Sequence, residues 1–228
     1  MKGVLFGATG MVGQGVLREC LRDPGVSEVL SIGRRSLGRS DPKLRDLIRP
    51  TLADLSGDAE ALRGYDATFF CLGVSSFGRT EAEYRRVTYD LTVAAARTIA
   101  AASPGSAFVY VSGAGTDASE HGRAGWARVK GATENAVARL PFRAVYRFRP
   151  GIIRPLHGIR SKTRGYRIAY AVLRPLLWLV RRFSPNAMTT TEAVGRAMLR
   201  AVRDGGPSAV VDTREINRLG AAAPHPAP

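Results

Sequence analysis

Cysteine is nearly absent from this chain of 228 residues: Cys20 and Cys71 are the only two, and each sits inside an apolar stretch. Two such thiols give neither a disulfide framework nor a clustered metal site, and their scarcity fits a reducing, cytoplasmic setting. Histidine is limited to His121, His157 and His225, with no ligand or triad spacing, so no metal is expected. A membrane-spanning run is missing as well. The longest apolar stretch, IAYAVLRPLLWLV at 168–180, is broken by Arg174 and Pro175, and a bilayer crossing needs about 20 apolar residues. The opening MKGVLFGATGMVG is interrupted by glycines at 7, 10 and 13 and lacks a small-residue cleavage site, which reads as a first strand and not a signal peptide. Acid is missing in one place: residues 139–203 carry fifteen basic side chains and a single acid, Glu192, in a chain of net charge +15. A segregated basic surface attracts polyanions, from nucleic acid to an anionic leaflet to phosphorylated small molecules.

What is present is a globular composition, 45% hydrophobic and 23% charged, at a length that suits one large domain. KGVLFG at 2–7 reads as a buried strand, followed by apolar residues at helical spacing from Met11 to Leu21. Val26–Ile32, Pro50–Ala53, Asp66–Leu72, Ser106–Ser112 and Phe142–Phe148 read as further strands, and Thr80–Ala102 and Ala124–Arg139 as helices. Such alternation predicts a doubly wound α/β sheet with parallel strands, a Rossmann core over residues 1–150. After Pro150 the alternation fades. Residues 151–213 read as a basic, mainly helical lobe of the same domain, with Thr189 and Glu192 spaced as a capping box, and 214–228 as a disordered tail.

Gly7, Gly10 and Gly13 form G-x-x-G-x-x-G between the first strand and first helix, where free backbone amides can receive a pyrophosphate. Thr9, Met11 and Val12 belong to the same turn. At the end of the second strand an NAD site would present an acid to the ribose; this chain has Arg34 and Arg35 there instead. Paired guanidinium groups suit a 2′-phosphate, so the cofactor expected is NADP(H). Asp54 stands where it could meet the adenine amine or serve as a cap.

Taken together, GATGMVG at 7–13, IGRR at 32–35, CLG at 71–73, VTYD at 87–90, YVSGAG at 110–115, ARVKG at 127–131 and FRPG at 148–151 resemble the short-chain dehydrogenase/reductase superfamily, in its atypical members of the Tat-interacting oxidoreductase-like subgroup. The resemblance implies a dinucleotide on the glycine loop, with Leu72 and Gly73 lining it and Lys130 on the nicotinamide ribose. It also implies a Ser-Tyr-Lys catalytic set with an upstream Asn. Ser112 and Lys130 match, whereas Trp126 stands at the Tyr position and Thr88 at the Asn position. An indole cannot exchange a proton usefully in water, as a phenol beside a lysine can. Carbonyl reduction would then need another acid, with Ser112, Thr116, His121, Tyr166 or Lys130 through water as the alternatives.

Two functions follow: an NADP-dependent oxidoreductase of unusual chemistry on an unknown carbonyl or hydroxyl substrate, or a non-catalytic NADP(H)-dependent binding protein recognising a protein partner. The stretch Arg164–Arg182, with a basic stripe beside an apolar face, could cover the sheet and cleft, pack on a partner or lie on an anionic membrane. Nucleic acid is disfavoured because no reader motif accompanies the charge.

Overall fold

A computed structural model describes residues 1–159 and 185–221. The stretch Arg164–Arg182 and residues 222–228 lie outside the described residues.

Seven parallel strands form the central sheet in the order β3-β2-β1-β4-β5-β6-β9. They are β1 (Lys2–Phe6), β2 (Glu28–Gly33), β3 (Leu44–Ile48), β4 (Ala67–Phe70), β5 (Ala107–Val111), β6 (Ala144–Arg149) and β9 (Val210–Asp212). A side pair of parallel strands, β7 (Ile152–Arg154) and β8 (Met188–Thr190), stands apart. The inner strands are continuous apolar runs because both of their faces are covered, as parallel crossovers require. One face meets α1 (Met11–Arg22), α5 (Thr191–Asp204) and α6 (Thr213–Ala221) through Leu5, Phe69, Val109, Phe148, Val16 and Met198. The other meets α3 (Leu91–Ala102) and α4 (Gly125–Ala138) through Phe6, Phe70, Phe108, Ile99 and Val137. Phe6, Phe70 and Phe108 run along that second face with ring centroids 4.9 and 5.8 Å apart.

The expected α/β doubly wound Rossmann architecture is the one observed, with local corrections. The third strand is Leu44–Ile48, and the apparent strand at 50–53 is a loop whose Leu52 is buried. β3 is a polar edge, so its burial signal is weak. The helix expected over 80–102 is three pieces: α2 (Glu81–Arg85), a π-helical turn (Arg86–Asp90) and α3. Its start is a capping box in which Thr80 Oγ1 accepts from the Glu83 amide and Glu83 accepts from that of Thr80. At α5 the cap is Thr190, which accepts from Ala193, and Thr189 belongs to β8.

Residues 185–221 also depart from the expected lobe and tail. β9 pairs with β6 and closes the main sheet, and α6 occupies 213–221, with Ile216 and Gly220 buried. A three-residue strand is too short to show a periodic signal. α5 crosses α1 at backbone distance: a Cβ on Gly15 would lie 2.5 Å from the Thr191 carbonyl oxygen, and one on Gly195 3.0 Å from that of Gly15. Arg196–Glu19 at 3.1 Å and Arg203–Asp23 at 2.8 Å brace the crossing.

Candidate dinucleotide site and catalytic cluster

The turn from β1 into α1 depends on close approach of the chain to itself. Gly7 has φ +78, and a side chain there would meet the Cys71 carbonyl at 2.7 Å. A Cβ on Gly13 would lie 2.1 Å from the Gly7 carbonyl oxygen, and one on Gly10 3.2 Å from it. The loop is closed by the Gly10 amide donating to the Gly7 carbonyl at 2.8 Å. Gly10 caps α1 without a side-chain hydrogen bond, and the first turn contains no acid. The helix amides, those of Met11 and Val12 among them, are therefore left to a ligand, in the polarity that favours an anion.

A cleft of about 390 Å³ opens beside this turn, lined by Gly7, Ala8, Thr9, Ser31, Ile32, Gly33, Arg34, Arg35, Leu37, Leu52 and Leu72. Sequence reasoning had named Gly7, Thr9, Arg34, Arg35 and Leu72, and the fold brings them to one cavity. Gly10, Met11, Val12, Gly13, Gly73, Asp54 and Lys130 do not line it; Asp54 is exposed and accepts from the Ser56 amide at 2.9 Å. The Ser56 hydroxyl first, and that amide contact second, hold its carboxyl below the usual range. Leu52, two residues earlier, faces the cleft in its place. A second cleft of about 450 Å³ shares Ala8, Thr9 and Leu37 and adds Gln14, Arg18, Arg39 and His157. His157 is tied to Glu192, which also meets Arg196 at 2.7 Å.

At the end of β5, Ser112 and Lys130 come together. Lys130 Nζ donates to the Ser112 carbonyl, and the Ser112 hydroxyl lies 2.5 Å from Glu134 Oε1 and 3.1 Å from the Phe148 carbonyl. Glu134 is fully buried, one turn beyond Lys130 on α4. Arg149, at the end of β6, grips it through Nε at 3.0 Å and a terminal nitrogen at 2.5 Å. Burial pushes the Lys130 ammonium down to about 8, against an opposing pull from Glu134. Sequence reasoning missed Glu134 and Arg149. The i,i+4 spacing from Lys130 was the available signal for the former, and the FRPG arginine for the latter.

Trp126 is 37% exposed, with its ring against Gly115. The loop before α4 is set by Asp117, which accepts from the Ser119 hydroxyl at 2.6 Å and the Gly122 amide at 2.6 Å. These contacts keep the Asp117 carboxyl below its ordinary range. Gly131 admits that loop against the helix, since a Cβ there would sit 1.7 Å from the Asp117 carbonyl. Thr88 is buried in the π-helical turn, with its hydroxyl unpartnered among the described residues. No cluster of His, Cys, Asp or Glu able to hold a metal occurs among the described residues, and none of their helices is long and apolar enough to cross a membrane.

No protein-family profile matches the chain. It is 27% identical over 232 residues to the mitochondrial protein fmp-52 of Neurospora crassa, covering 95% of this chain and 93% of that protein. It is 30% identical over 151 residues to protein HTATIP2 of Rattus norvegicus, a match spanning 65% of this chain but 61% of the relative. Among solved structures it superposes with a TM-score of 0.65 on a short-chain dehydrogenase/reductase superfamily protein from Agrobacterium tumefaciens with bound NAD, at 17% identity, covering 92% of this chain and 76% of that one.

Proposed function

Because this chain is a relative of the atypical short-chain dehydrogenase/reductases, we propose that it is an NADP(H)-dependent oxidoreductase acting on a small carbonyl or hydroxyl compound. The observation that carries the reading is the joining of Arg34 and Arg35 to the glycine turn in one cleft. Glycine at 7, 10 and 13 lets the chain pack this tightly on itself, since side chains there would meet the Cys71 and Gly7 backbone, and the resulting turn presents the first α1 amides to a dinucleotide. The glycine turn and the α1 amides would hold the pyrophosphate, Leu52 and Leu72 the adenine side, and the two arginines a 2′-phosphate. The relative with bound NAD does not decide the phosphate question, and the arginine pair argues for NADP(H).

When bound, the nicotinamide supplies hydride; the protein's residues orient it and handle the proton. Lys130 would hold the ribose, and Ser112 and Lys130 would stand beside the reacting atoms. Substrate would enter at the carboxyl ends of the strands, where open α/β sheets place ligands. The second reading, an NADP(H)-dependent binding protein without turnover, is favoured by Trp126 at the Tyr position and Thr88 at the Asn position.

Titration of the protein with NADPH and NADH tests the cofactor. We expect preference for NADPH and a loss of about 100-fold for Arg34→Ala/Arg35→Ala, from ~1.5–3 kcal/mol per hydrogen bond to a charged group, with NADH binding shifted less than threefold. Equal affinity for the two cofactors, or insensitivity to the substitution, contradicts the NADP reading. Consumption of NADPH across an aldehyde panel separates enzyme from binding protein.

A further inference from the structure

The Ser112 hydroxyl has one proton. Within 2.5 Å stands the Glu134 carboxylate, which is fully buried and gripped by Arg149 from the other side. Donation to that acceptor leaves Ser112 only lone pairs to offer any other partner. Trp126, one turn before Lys130, has no exchangeable proton of useful acidity. Lys130 differs: its ammonium has three donors, of which the Ser112 carbonyl takes one. Resting on the oxidoreductase reading above, we propose that Lys130 itself is the proton donor to the substrate oxygen, and that Glu134 is a positioning residue that turns the Ser112 proton inward and leaves this task to the lysine.

The step balances. As hydride adds to the carbonyl carbon, the C=O π pair moves to oxygen, which takes a proton from Lys130 Nζ; the resulting neutral amine recovers a proton from water. In oxidation the amine accepts the alcohol proton. Among the described residues, the charged group that acts on Lys130 is Glu134 on its own helix, and Arg149 on β6 offsets that carboxylate, with Asp117 acting on Arg149 in turn. The downward displacement of the ammonium to about 8 by burial suits an acid that must release its proton near neutrality.

The test uses the full chain. Its four lysines, Lys2, Lys43, Lys130 and Lys162, are reductively methylated with ¹³C-formaldehyde and followed by NMR against pH with NADP⁺ bound, the Lys130 resonance being assigned by its loss in Lys130→Arg. In parallel, NADPH consumption with a series of straight-chain and aromatic aldehydes is measured from pH 6 to 10. We expect the Lys130 resonance to titrate near 8, and kcat/KM to fall about tenfold per pH unit above the same midpoint. Lys130→Arg, which keeps a cation for the ribose but cannot release a proton, should lose at least 100-fold in kcat while binding NADPH within threefold. Trp126→Tyr should restore turnover above the midpoint by adding a phenol. Lys130→Arg turnover within threefold of the parent, or a lysine midpoint above 10, overturns the assignment while leaving the oxidoreductase reading intact. NADPH binding without consumption of any aldehyde overturns both.

Discussion

Replacing Glu134 with alanine probes the buried ion pair apart from any chemistry. Glu134 has no exposure, Arg149 keeps 22% of its side chain exposed, and the two meet through two nitrogens, one 3.0 and one 2.5 Å from carboxylate oxygens. Glu134→Ala strips the guanidinium of its partner, leaves the Ser112 proton only the 3.1 Å Phe148 carbonyl, and opens a small cavity. Breaking such a pair from one side costs about 3–5 kcal/mol. For a domain of this size each kcal/mol moves Tm by about 2–4 °C, so a fall of roughly 10 °C is expected. Urea unfolding of the protein without nucleotide measures it directly. The companion Glu134→Leu/Arg149→Met should recover at least half of the loss, because an apolar pair of similar volume carries no desolvation cost. A Glu134→Ala loss below about 1 kcal/mol, the scale of an exposed ion pair, would refute the picture of a clamped, dry carboxylate.

Gly13→Ala should abolish NADPH binding or folding altogether, since its Cβ would stand 2.1 Å from the Gly7 carbonyl; isothermal titration beside circular dichroism separates the two, and a folded variant with unchanged affinity counts against the cradle. Gly131→Ala, whose Cβ would fall 1.7 Å from the Asp117 carbonyl, should unfold at least 10 °C lower, beyond the ~1–3 kcal/mol of ordinary overpacking. Burial lowers Lys130 to about 8 from the ordinary lysine value of 10.5, so between those values the unfolded chain binds more protons. The contribution of this group to stability then rises with pH across that window. Comparing denaturation midpoints of the parent and Lys130→Met from pH 7.5 to 10.5 should show the rise only in the parent.

The part of the site written in local sequence was legible. A buried strand, three glycines and an amphipathic helix sit within twenty residues, and Arg34 and Arg35 follow the next strand, so chain order alone placed them around one cleft. What sequence did not disclose depends on tertiary pairing. Glu134 and Arg149 lie on different elements, and nothing local says that the one carboxylate of α4 turns inward to meet β6. β3 escaped because LRDLI, at the sheet edge, buries little; PTLA drew attention through Leu52, which is buried from a loop. β9 has three residues and is defined by its pairing with Arg147–Arg149. Asp54 was assigned by its position after a strand that proved to lie elsewhere.

The crossing of α1 and α5 gives the protein an order of assembly. The helix that follows the glycine turn is braced by residues about 180 positions later, through Glu19 with Arg196 and Asp23 with Arg203. Synthesis proceeds from the amino end, so the glycine turn leaves the ribosome long before the helix that steadies it. A truncation before Thr191 thus deprives a distant, intact glycine turn of its support.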